Sequence, residues 1–338
     1  MQFVLLGEKS SERTKFFLKA ADELGVDVTF IQLPSFDRDF TFDFAALENC
    51  AVKIDPPESN AVSVDLLTET AQRYMNFLSD IEKVKGVKTL NSPQAIMQTL
   101  DKLICKRALE NAGINATPLI SETDSIIELR QILLQKNINS VFIKPRLGSG
   151  AAGVMAYRVN PKIGEEAVYT SVGLVDGRRC NTNKIRVFRK REEIDTIAGG
   201  ILTQGAVVEQ WIPKAKHNGK NFDLRVVFQF GKVAFIVARQ SAGPITNLHL
   251  NNDALDFDAL DLSDSLICEI EELCRKSVAL FPGLNSAGID ILLERGTLKP
   301  YIIEINGQGD LIYRDIFADN QIYKSQIKFL MLKGESIL

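Results

Sequence analysis

The chain has 338 residues, of which 45% are apolar, so it is long enough for two or three folded domains with their own hydrophobic cores. Its 40 basic and 43 acidic residues are mixed along the sequence and give a net charge of −3. This balance predicts neither a nucleic-acid partner nor an anionic membrane partner.

The N-terminal run MQFVLLGEKSSER becomes charged after one short apolar stretch, which indicates a buried strand and not a signal peptide. No apolar run reaches the roughly 18 residues that a membrane span needs. Five cysteines form no C-x-x-C pair and leave an odd number, which predicts buried, reduced thiols and a cytoplasmic location. Because there are only two histidines, a metal site would use oxygen ligands, which favours magnesium.

The first part of the chain predicts an α/β layer. A strand in QFVLL, a helix over about residues 10–24 and a strand in VDVTFIQL together have the length of a βαβ unit. The double proline of KIDPPESN (residues 53–60) ends this region, and a helix over about residues 65–83 follows. The run QAIMQTLDKLICKRALENAG (residues 94–113) keeps apolar residues at helical spacing and predicts a helix that stops at Gly113.

After Pro118 the pattern changes to short strands and hairpins, typical of a small lid-like domain. The strands are VFIKPR, GVMAYRV, EEAVYTSVGLVDGRR and KIRVF, with one short helix near REEIDTIAGG. Longer β-rich runs follow, interrupted by a helix over about residues 263–281: AVVEQWI, FDLRVVFQFGKVAFIVARQ with a turn at residues 231–232, AGIDILL and PYIIEIN.

The segment FIKPRLGSGAAGVMAYRV contains the pattern G-x-G-x-x-G. In dinucleotide-binding proteins this pattern leads into a helix whose N-terminus holds a pyrophosphate. Here VMAYRVNP alternates and meets Pro161, so it predicts a second strand and therefore a hairpin, which argues against an NAD oxidoreductase. Such a loop can fold over phosphates as a flap, with Lys144 adding a charge; the alternative is an ordinary glycine turn with a solvated lysine.

Two strands near the C-terminus, SAGIDILL and YIIEINGQGD, carry polar residues in apolar surroundings. Alternation places Glu304 and Asn306 on one face and Ile303 and Ile305 on the other, while Asp290 stands alone between isoleucines. If the strands are neighbours, three oxygen ligands converge without a compensating base. This arrangement predicts a Mg²⁺ site for a nucleotide, and the alternative is a solvent-facing polar row.

A predicted hairpin between these features, FDLRVVFQFGKVAFIVARQ, carries a pair of arginines. Asp223 and Arg225 share a face of the first strand, and Arg239 ends the returning strand. Paired arginines suit bidentate contacts to phosphate or carboxylate groups, although each alone would be interpreted as a surface residue.

An ordered set of motifs in this sequence resembles that of the ATP-grasp superfamily. The set consists of Lys144 with its glycine loop, followed by VVEQWIP, DLRVV, TNLHL, GIDIL and EIN. Within this superfamily, the sequence is most similar to glutathione synthetase and the ribosomal-protein glutamate ligases, over roughly residues 88–320. The resemblance implies an α/β (α+β) ATP-grasp fold with ATP between a lid and a C-terminal, mainly antiparallel sheet. The expected regions are a Rossmann-like pre-ATP-grasp domain (1–92), a linker helix with the lid subdomain (93–207), and a C-terminal subdomain with the magnesium site (208–338).

The resemblance also implies roles for individual residues. The positions that match the phosphate-binding lysines and the flap are Lys102, Lys144, Gly148, Ser149, Gly150 and Gly153. The adenine-binding segment matches Glu209, Gln210, Trp211 and Ile212. The ligands of Mg²⁺, or of Mn²⁺ in its place, match Asp290, Glu304 and Asn306, and the surroundings of the transferred phosphate and acyl substrate match Arg225, Arg239 and Asn247. The similarity of KIDPPESN to a segment of glutathione synthetase would bring Lys53 and Asp55 towards the substrate.

The sequence departs from the family pattern at three places. No carboxylate lies between the adenine segment and Asp223, so no ribose ligand is assigned. Asn251 and Asn252 stand where the glutamate ligases often have two glycines, and the expected hairpin at residues 165–180 has no counterpart.

The expected activity is that of an ATP-dependent carboxylate-amine ligase that works through an acyl phosphate. Its partners would be a small carboxylic acid and an amine or amino acid, without nucleic acid or membrane, and relatives often form homo-oligomers. Three alternatives stay open: a ligase that modifies a peptide docked on the extra hairpin, a small-molecule phosphotransferase, and a non-catalytic nucleotide-binding module.

Overall fold

The computed structural model describes residues 1–57, 63–148, 151–160, 162–248 and 252–335. Its first sheet contains strands β1 (Phe3–Gly7), β2 (Val28–Gln32), β3 (Ala51–Ile54) and β4 (Lys88–Thr89), together with helices α1 (Glu12–Glu23) and α2 (Leu67–Glu82). The strand order is β2-β1-β3-β4 and every pair is parallel. Parallel neighbours require crossover connections, which is why helices separate these strands.

The run over residues 94–113 forms two helices, α3 (Pro93–Leu100) and α4 (Lys102–Asn111), instead of the continuous helix that apolar spacing predicts. Asp101 separates them in an extended conformation (φ −82°, ψ 98°), and its carboxylate accepts hydrogen bonds from the backbone N–H groups of Leu103 and Ile104. Arg146 binds the same carboxylate, with NH2 2.7 Å from Oδ2. An N-cap that satisfies free helix donors therefore starts a new helix here.

The second sheet forms the lid and is antiparallel. Its strands are β5 (Leu119–Ser121), β6 (Ser140–Pro145), β7 (Met155–Asn160), β8 (Glu165–Val175), β9 (Arg178–Phe188) and β10 (Ala206–Gln210), in the order β5-β10-β6-β7-β8-β9. Helices α5 (Ile126–Gln135) and α6 (Arg191–Leu202) bury their apolar side chains against one face. Because β6 pairs with β7, the predicted hairpin around the glycine loop is confirmed. The predicted boundary after residue 207 falls inside β10, which pairs with β5 and β6.

The third sheet is also antiparallel. It contains β11 (Lys216–His217), β12 (Lys220–Gln229), β13 (Lys232–Ser241), β14 (Asp253–Leu255), β15 (Ser286–Leu293) and β16 (Pro300–Asn306), in the order β14-β13-β12-β15-β16 with β11 beside β12. Helix α7 (Asp264–Val278) packs with the apolar side chains of one face into the largest core. Helices α8 (Tyr313–Phe317) and α9 (Gln321–Glu335) follow, and α9 packs against α1 and the first sheet.

None of the cysteines forms a disulfide, as expected. Cys50, Cys105, Cys180 and Cys274 are buried, whereas Cys268 is exposed on α7, contrary to the prediction that all are buried. Burial raises the pKa of the Cys105 and Cys274 thiols to about 12, which keeps them protonated. In the part of the chain that the structure describes, no helix combines the length and the apolar composition needed to cross a membrane.

Candidate active site

A cavity of about 1000 Å³ lies between the lid sheet, the third sheet and the loops of the first region. This volume is at the upper end for small-molecule sites, so the cavity has room for more than one ligand. Most of the residues that the sequence singled out line it: Lys144, Gly148, Glu209, Gln210, Ile212, Arg225, Arg239, Asn247, Asp290, Glu304 and Asn306.

Three of the expected site residues lie beside the cavity without lining it. Lys102 Nζ donates to the carbonyl oxygen of Gly148 at 2.5 Å and lies 3.4 Å from Glu304 Oε1. Gly153 has a φ of 73°, which favours glycine. The Trp211 ring packs at 5.3 Å from the ring of Phe142. Ser149 and Gly150 fall outside the described residues.

The polar residues of the two C-terminal strands lie side by side. Asp290 on β15 pairs with Glu304 on β16, and Asn306 lies opposite Gly288. All three polar side chains line the cavity and offer only oxygen ligands, the donor type that Mg²⁺ prefers. No group of three or more His, Cys, Asp or Glu side chains is placed to hold a metal ion within the described ranges, so this site would need the amide oxygen of Asn306.

Ile303 breaks the alternation that the sequence predicts for β16. Asp290 pairs with Glu304 but the next residue, Ile291, pairs with Ile302, so Ile303 is the extra residue of a β-bulge. It lines the cavity with Glu304, while Ile305 lies in the core on the opposite face. The prediction that Ile303 shares a face with Ile305 is therefore wrong, because a bulge shifts the two-residue period.

The two arginines hold the Asp290 carboxylate. Arg225 Nε lies 2.6 Å from Asp290 Oδ1, and Arg239 NH2 lies 3.3 Å from Oδ2. Gly288 and Gly309 make room for this contact, since a Cβ at either residue would lie within 2.9 Å of Arg225 NH1. Carboxylate oxygens have about four lone-pair sites in all, so Asp290 keeps capacity for a metal ion beside the arginines.

Sequence reasoning missed a buried network next to Arg239. Lys214 Nζ lies 2.8 Å from Asp223 Oδ2 and donates to Thr246 Oγ1 at 2.6 Å, while Arg239 Nε lies 2.8 Å from Asp223 Oδ1. Burial opposes the charge of Asp223, but Arg239 and Lys214 outweigh it and hold the pKa of that carboxyl well below its usual range. Burial lowers the pKa of Lys214. This lysine lies two residues after Ile212, in the segment for which the sequence offered no ribose ligand.

Glu209 is the shared counter-ion of two buried lysines. Its Oε2 lies 2.8 Å from Lys144 Nζ and 3.5 Å from Lys106 Nζ, and accepts a hydrogen bond from Thr117 Oγ1 at 2.5 Å. Burial alone would raise the pKa of Glu209, but the two lysines outweigh it and lower the pKa. Lys106 was missed, although its position one helical turn after Lys102 on α4 was a usable signal.

Lys53 and Asp55 do not line the cavity, although Pro56 and Pro57 after them do. Both charged residues are 2% exposed, they pair with each other, and Lys53 Nζ lies 3.0 Å from Asp310 Oδ2. The pair therefore ties the first sheet to the segment after β16. Residues 58–60 of KIDPPESN lie outside the described residues.

No protein-family profile and no curated protein matches this sequence, but solved structures do match it. D-cycloserine synthetase DcsG aligns with 98% of this chain and 99% of its own, at 12% identity and a TM-score of 0.64. The macrocyclase MdnC from Microcystis aeruginosa MRC, bound to its precursor peptide MdnA, aligns with 98% of this chain and 99% of its own, at 12% identity and a TM-score of 0.58. A RiPP-associated ATP-grasp ligase from Chryseobacterium gregarium, in complex with ADP and a leader and core peptide, aligns with 98% of this chain and 97% of its own, at 13% identity and a TM-score of 0.58.

The chain has the ATP-grasp fold. The fold class predicted from the sequence is therefore confirmed. Within this ATP-grasp fold, the cavity lies between the lid sheet and the third sheet, with Lys144 and Glu209 on the lid side and Asp290 and Glu304 on the opposite side. At 12–13% identity the likeness resides in the arrangement of strands and helices, and not in the residues at the site.

Proposed function

We propose that the chain is an ATP-dependent ligase that joins a carboxylate to an amine through an acyl phosphate. The observation that carries this proposal is the set of opposite charges that converge on one cavity of an ATP-grasp fold. The cations Lys144, Arg225 and Arg239 line it with the acids Asp290 and Glu304, and Lys102 lies beside it, 3.4 Å from Glu304.

In the first step of this proposal, a substrate carboxylate oxygen attacks the γ-phosphorus of ATP, the β–γ bridge bond breaks and ADP leaves. A neutral amine then attacks the acyl carbon, phosphate leaves with the electron pair of the C–O bond, and the amine loses a proton. Little covalent help from the protein is required, because phosphoryl transfer depends on positioning and charge neutralisation.

Lys102, Lys144 and the two arginines would hold the phosphates and the acid. Hydrogen bonds to charged groups contribute about 1.5–3 kcal/mol each, so four or five contribute about 6–15 kcal/mol, a range that includes the about 8 kcal/mol of a micromolar nucleotide. Mg²⁺, or Mn²⁺ in its place, held by Asp290, Glu304 and Asn306 would neutralise phosphate charge further. The glycine hairpin would exclude water from the acyl phosphate, and Gly148 (φ 122°) and Gly153 (φ 73°) have conformations that favour glycine.

A peptide is the second candidate for one of the two substrates. A second groove adjoins the cavity and shares Pro244 and Ile245 with it, and small substrates would not need this extra space. The matched MdnC structure contains a precursor peptide, whereas DcsG is a D-cycloserine synthetase, so chains of this fold include both kinds of protein.

The proposal is tested by measuring ATP-dependent phosphate release with a panel of acids, amines and short peptides, and by mass spectrometry of the products. We expect Glu304→Gln to lower turnover at least about 100-fold while the chain stays folded, because one charge-neutralising group is lost. Glu269→Gln, on the exposed face of α7, is the matched control. Unchanged turnover in Glu304→Gln contradicts the metal assignment, and a phosphorylated product without an amide favours a phosphotransferase.

A further inference from the structure

A second groove, of about 610 Å³, lies beside the catalytic cavity and shares Pro244 and Ile245 with it. One wall comes from the lid and includes Tyr169, Lys184 and Ile185. The other comes from the third sheet, at the end of β13 and the start of β14. Strands β9 and β14 are the last strands of their sheets among the described residues, so the groove runs between two sheet edges and leads into the cavity.

A β-bulge in β9 directs Lys184 and Ile185 towards this groove. Residues 182–185 lie opposite the single residue Ser171 of β8. The hydroxyl of Thr182 donates to the Ser171 carbonyl oxygen at 2.8 Å and accepts from the Lys184 backbone N–H at 3.4 Å, which holds the bulge in place. Bulges re-aim side chains and interrupt the regular strand edge, so recognition at β9 would depend on side chains more than on backbone pairing.

The lid edge beside the groove carries positive charge that is not neutralised locally. Lys220 pairs with Asp253 at 2.7 Å, whereas Lys184 has no carboxylate within 4 Å among the described residues. Four more cations that lack such a partner in the same ranges continue beyond the groove, along β9 and into α6, without lining it: Arg186, Arg189, Lys190 and Arg191. The acids that follow them, Glu192 and Glu193, lie in the first turn of α6, where the helix dipole favours negative charge.

The groove also offers apolar surface. Ile185 is 37% exposed and Val187, two residues further on β9, is 46% exposed. Ile185 lines the groove with Tyr169 and Ile245, beside the two polar side chains of Gln240 and Ser241. Apolar side chains next to unpaired cations fit a peptide in which acidic and apolar residues alternate, whereas a nucleic acid would use the cations and leave the apolar side chains uncovered.

The opposite end of the β8–β9 hairpin is already occupied. Arg179 Nε lies 2.6 Å from Asp65 Oδ1 of the first region, and Cys180 forms an antiparallel bridge with Ser63. Gly200 leaves room for the Arg179 guanidinium, which a Cβ there would overlap. This end fastens the lid to the first region, which leaves the bulged end around Lys184 as the accessible surface.

We infer that the second groove binds an extended, acidic peptide segment and presents its reacting group to the catalytic cavity past Pro244 and Ile245. Carboxylates of the peptide pair with Lys184 and Arg186, and its apolar side chains contact Tyr169 and Ile185. What the bound peptide undergoes rests on the proposed ligase function, but the binding itself does not.

The test uses the full chain and a fluorescein-labelled peptide of alternating glutamate and valine, followed by fluorescence anisotropy without nucleotide. We expect Lys184→Glu combined with Arg186→Glu to weaken binding about tenfold, because two attractions become repulsions. Lys232→Glu, at the exposed β12–β13 turn, is the matched control and should change the affinity less than about twofold. Added salt should weaken the binding of the parent chain. Thermal unfolding of each variant checks that it stays folded.

Equal affinity for the lysine–valine counterpart of the peptide overturns the inference. Unchanged affinity in the double variant, or tighter binding of a single-stranded oligonucleotide of equal charge, also overturns it. ATP-dependent phosphate release on the same samples separates this inference from the ligase proposal, since neither substituted residue lines the catalytic cavity. Peptide binding without ATP turnover on any acid, amine or peptide of that panel supports the groove and refutes the ligase, and ATP turnover without peptide binding refutes the groove alone.

Discussion

Glu209→Gln removes the shared counter-charge of two buried lysines. Glu209 is 2% exposed, and its Oε2 lies 2.8 Å from Lys144 Nζ and 3.5 Å from Lys106 Nζ. Breaking a buried ion pair by removing one partner costs about 3–5 kcal/mol, because the remaining charge is left uncompensated. Glutamine still accepts the hydrogen bond from Thr117, so we expect a loss of about 3 kcal/mol in the free energy of unfolding.

Trp211 provides the assay. It is the only tryptophan of the sequence, and its ring packs on Phe142 of the lid, so urea unfolding followed by tryptophan fluorescence reports on the lid. The matched control is Glu165→Gln, an exposed carboxylate on β8, which should stay within about 0.5 kcal/mol of the parent. Adding Lys106→Met to Glu209→Gln should recover part of the loss, since it removes one of the uncompensated ammonium groups.

Two results would refute this reasoning. A Glu209→Gln chain as stable as the parent would mean that the carboxylate does not neutralise the lysines. No recovery on adding Lys106→Met would mean that the loss comes from packing instead of charge. If ATP phosphates bind Lys144 as proposed, saturating ATP should stabilise Glu209→Gln more than it stabilises the parent, because they supply a new counter-charge.

Gly288→Ala should lower ATP turnover at least about tenfold and stability by about 1–3 kcal/mol, because its Cβ would overlap the backbone carbonyl of Gly309 and lie 2.7 Å from Arg225 NH1. Gly199→Ala, whose Cβ would lie 3.8 Å from Ile126 Cγ2, is the control in phosphate-release and thermal-unfolding assays. Asp65→Asn removes the carboxylate partner of Arg179. Both side chains are partly exposed, so we expect the free energy of unfolding to fall by less than about 1 kcal/mol, while proteolysis of the lid becomes faster. Unchanged proteolysis would contradict the role of this pair in fastening the lid. The pKa of Asp223 lies below its ordinary 3.8, so its contribution to stability is complete above that pH and is lost as pH falls through the lower folded pKa. The difference in unfolding free energy between the parent and Asp223→Asn should therefore shrink in acid, and a constant difference would be evidence against the network.

Local patterns were enough for the features that depend on neighbouring residues. Alternation after the glycine loop predicted the β6–β7 hairpin, because side-chain direction in a strand repeats every two residues. The same period placed Glu304 and Asn306 on one face, and the structure adds that Asp290 is the direct cross-strand neighbour of Glu304. The two-residue period gave the wrong face for Ile303, and helical spacing predicted one continuous helix across Asp101 where there are two. A bulge and an N-cap caused these differences, and both depend on hydrogen bonds that the spacing of apolar residues does not reveal.

The order of the motifs, through their resemblance to the ATP-grasp superfamily, predicted the fold class, and burial patterns and turn residues predicted individual strands and helices over short stretches of chain. The pairing of the buried charges depends on contacts between distant parts of the chain. Glu209 meets Lys106 and Lys144, and Lys214 meets Asp223, because helices and strands from separate parts of the chain pack together and exclude water around them. A buried charge needs a partner of opposite charge. The number of residues between the two partners follows no regular period, so local sequence patterns do not reveal the pair.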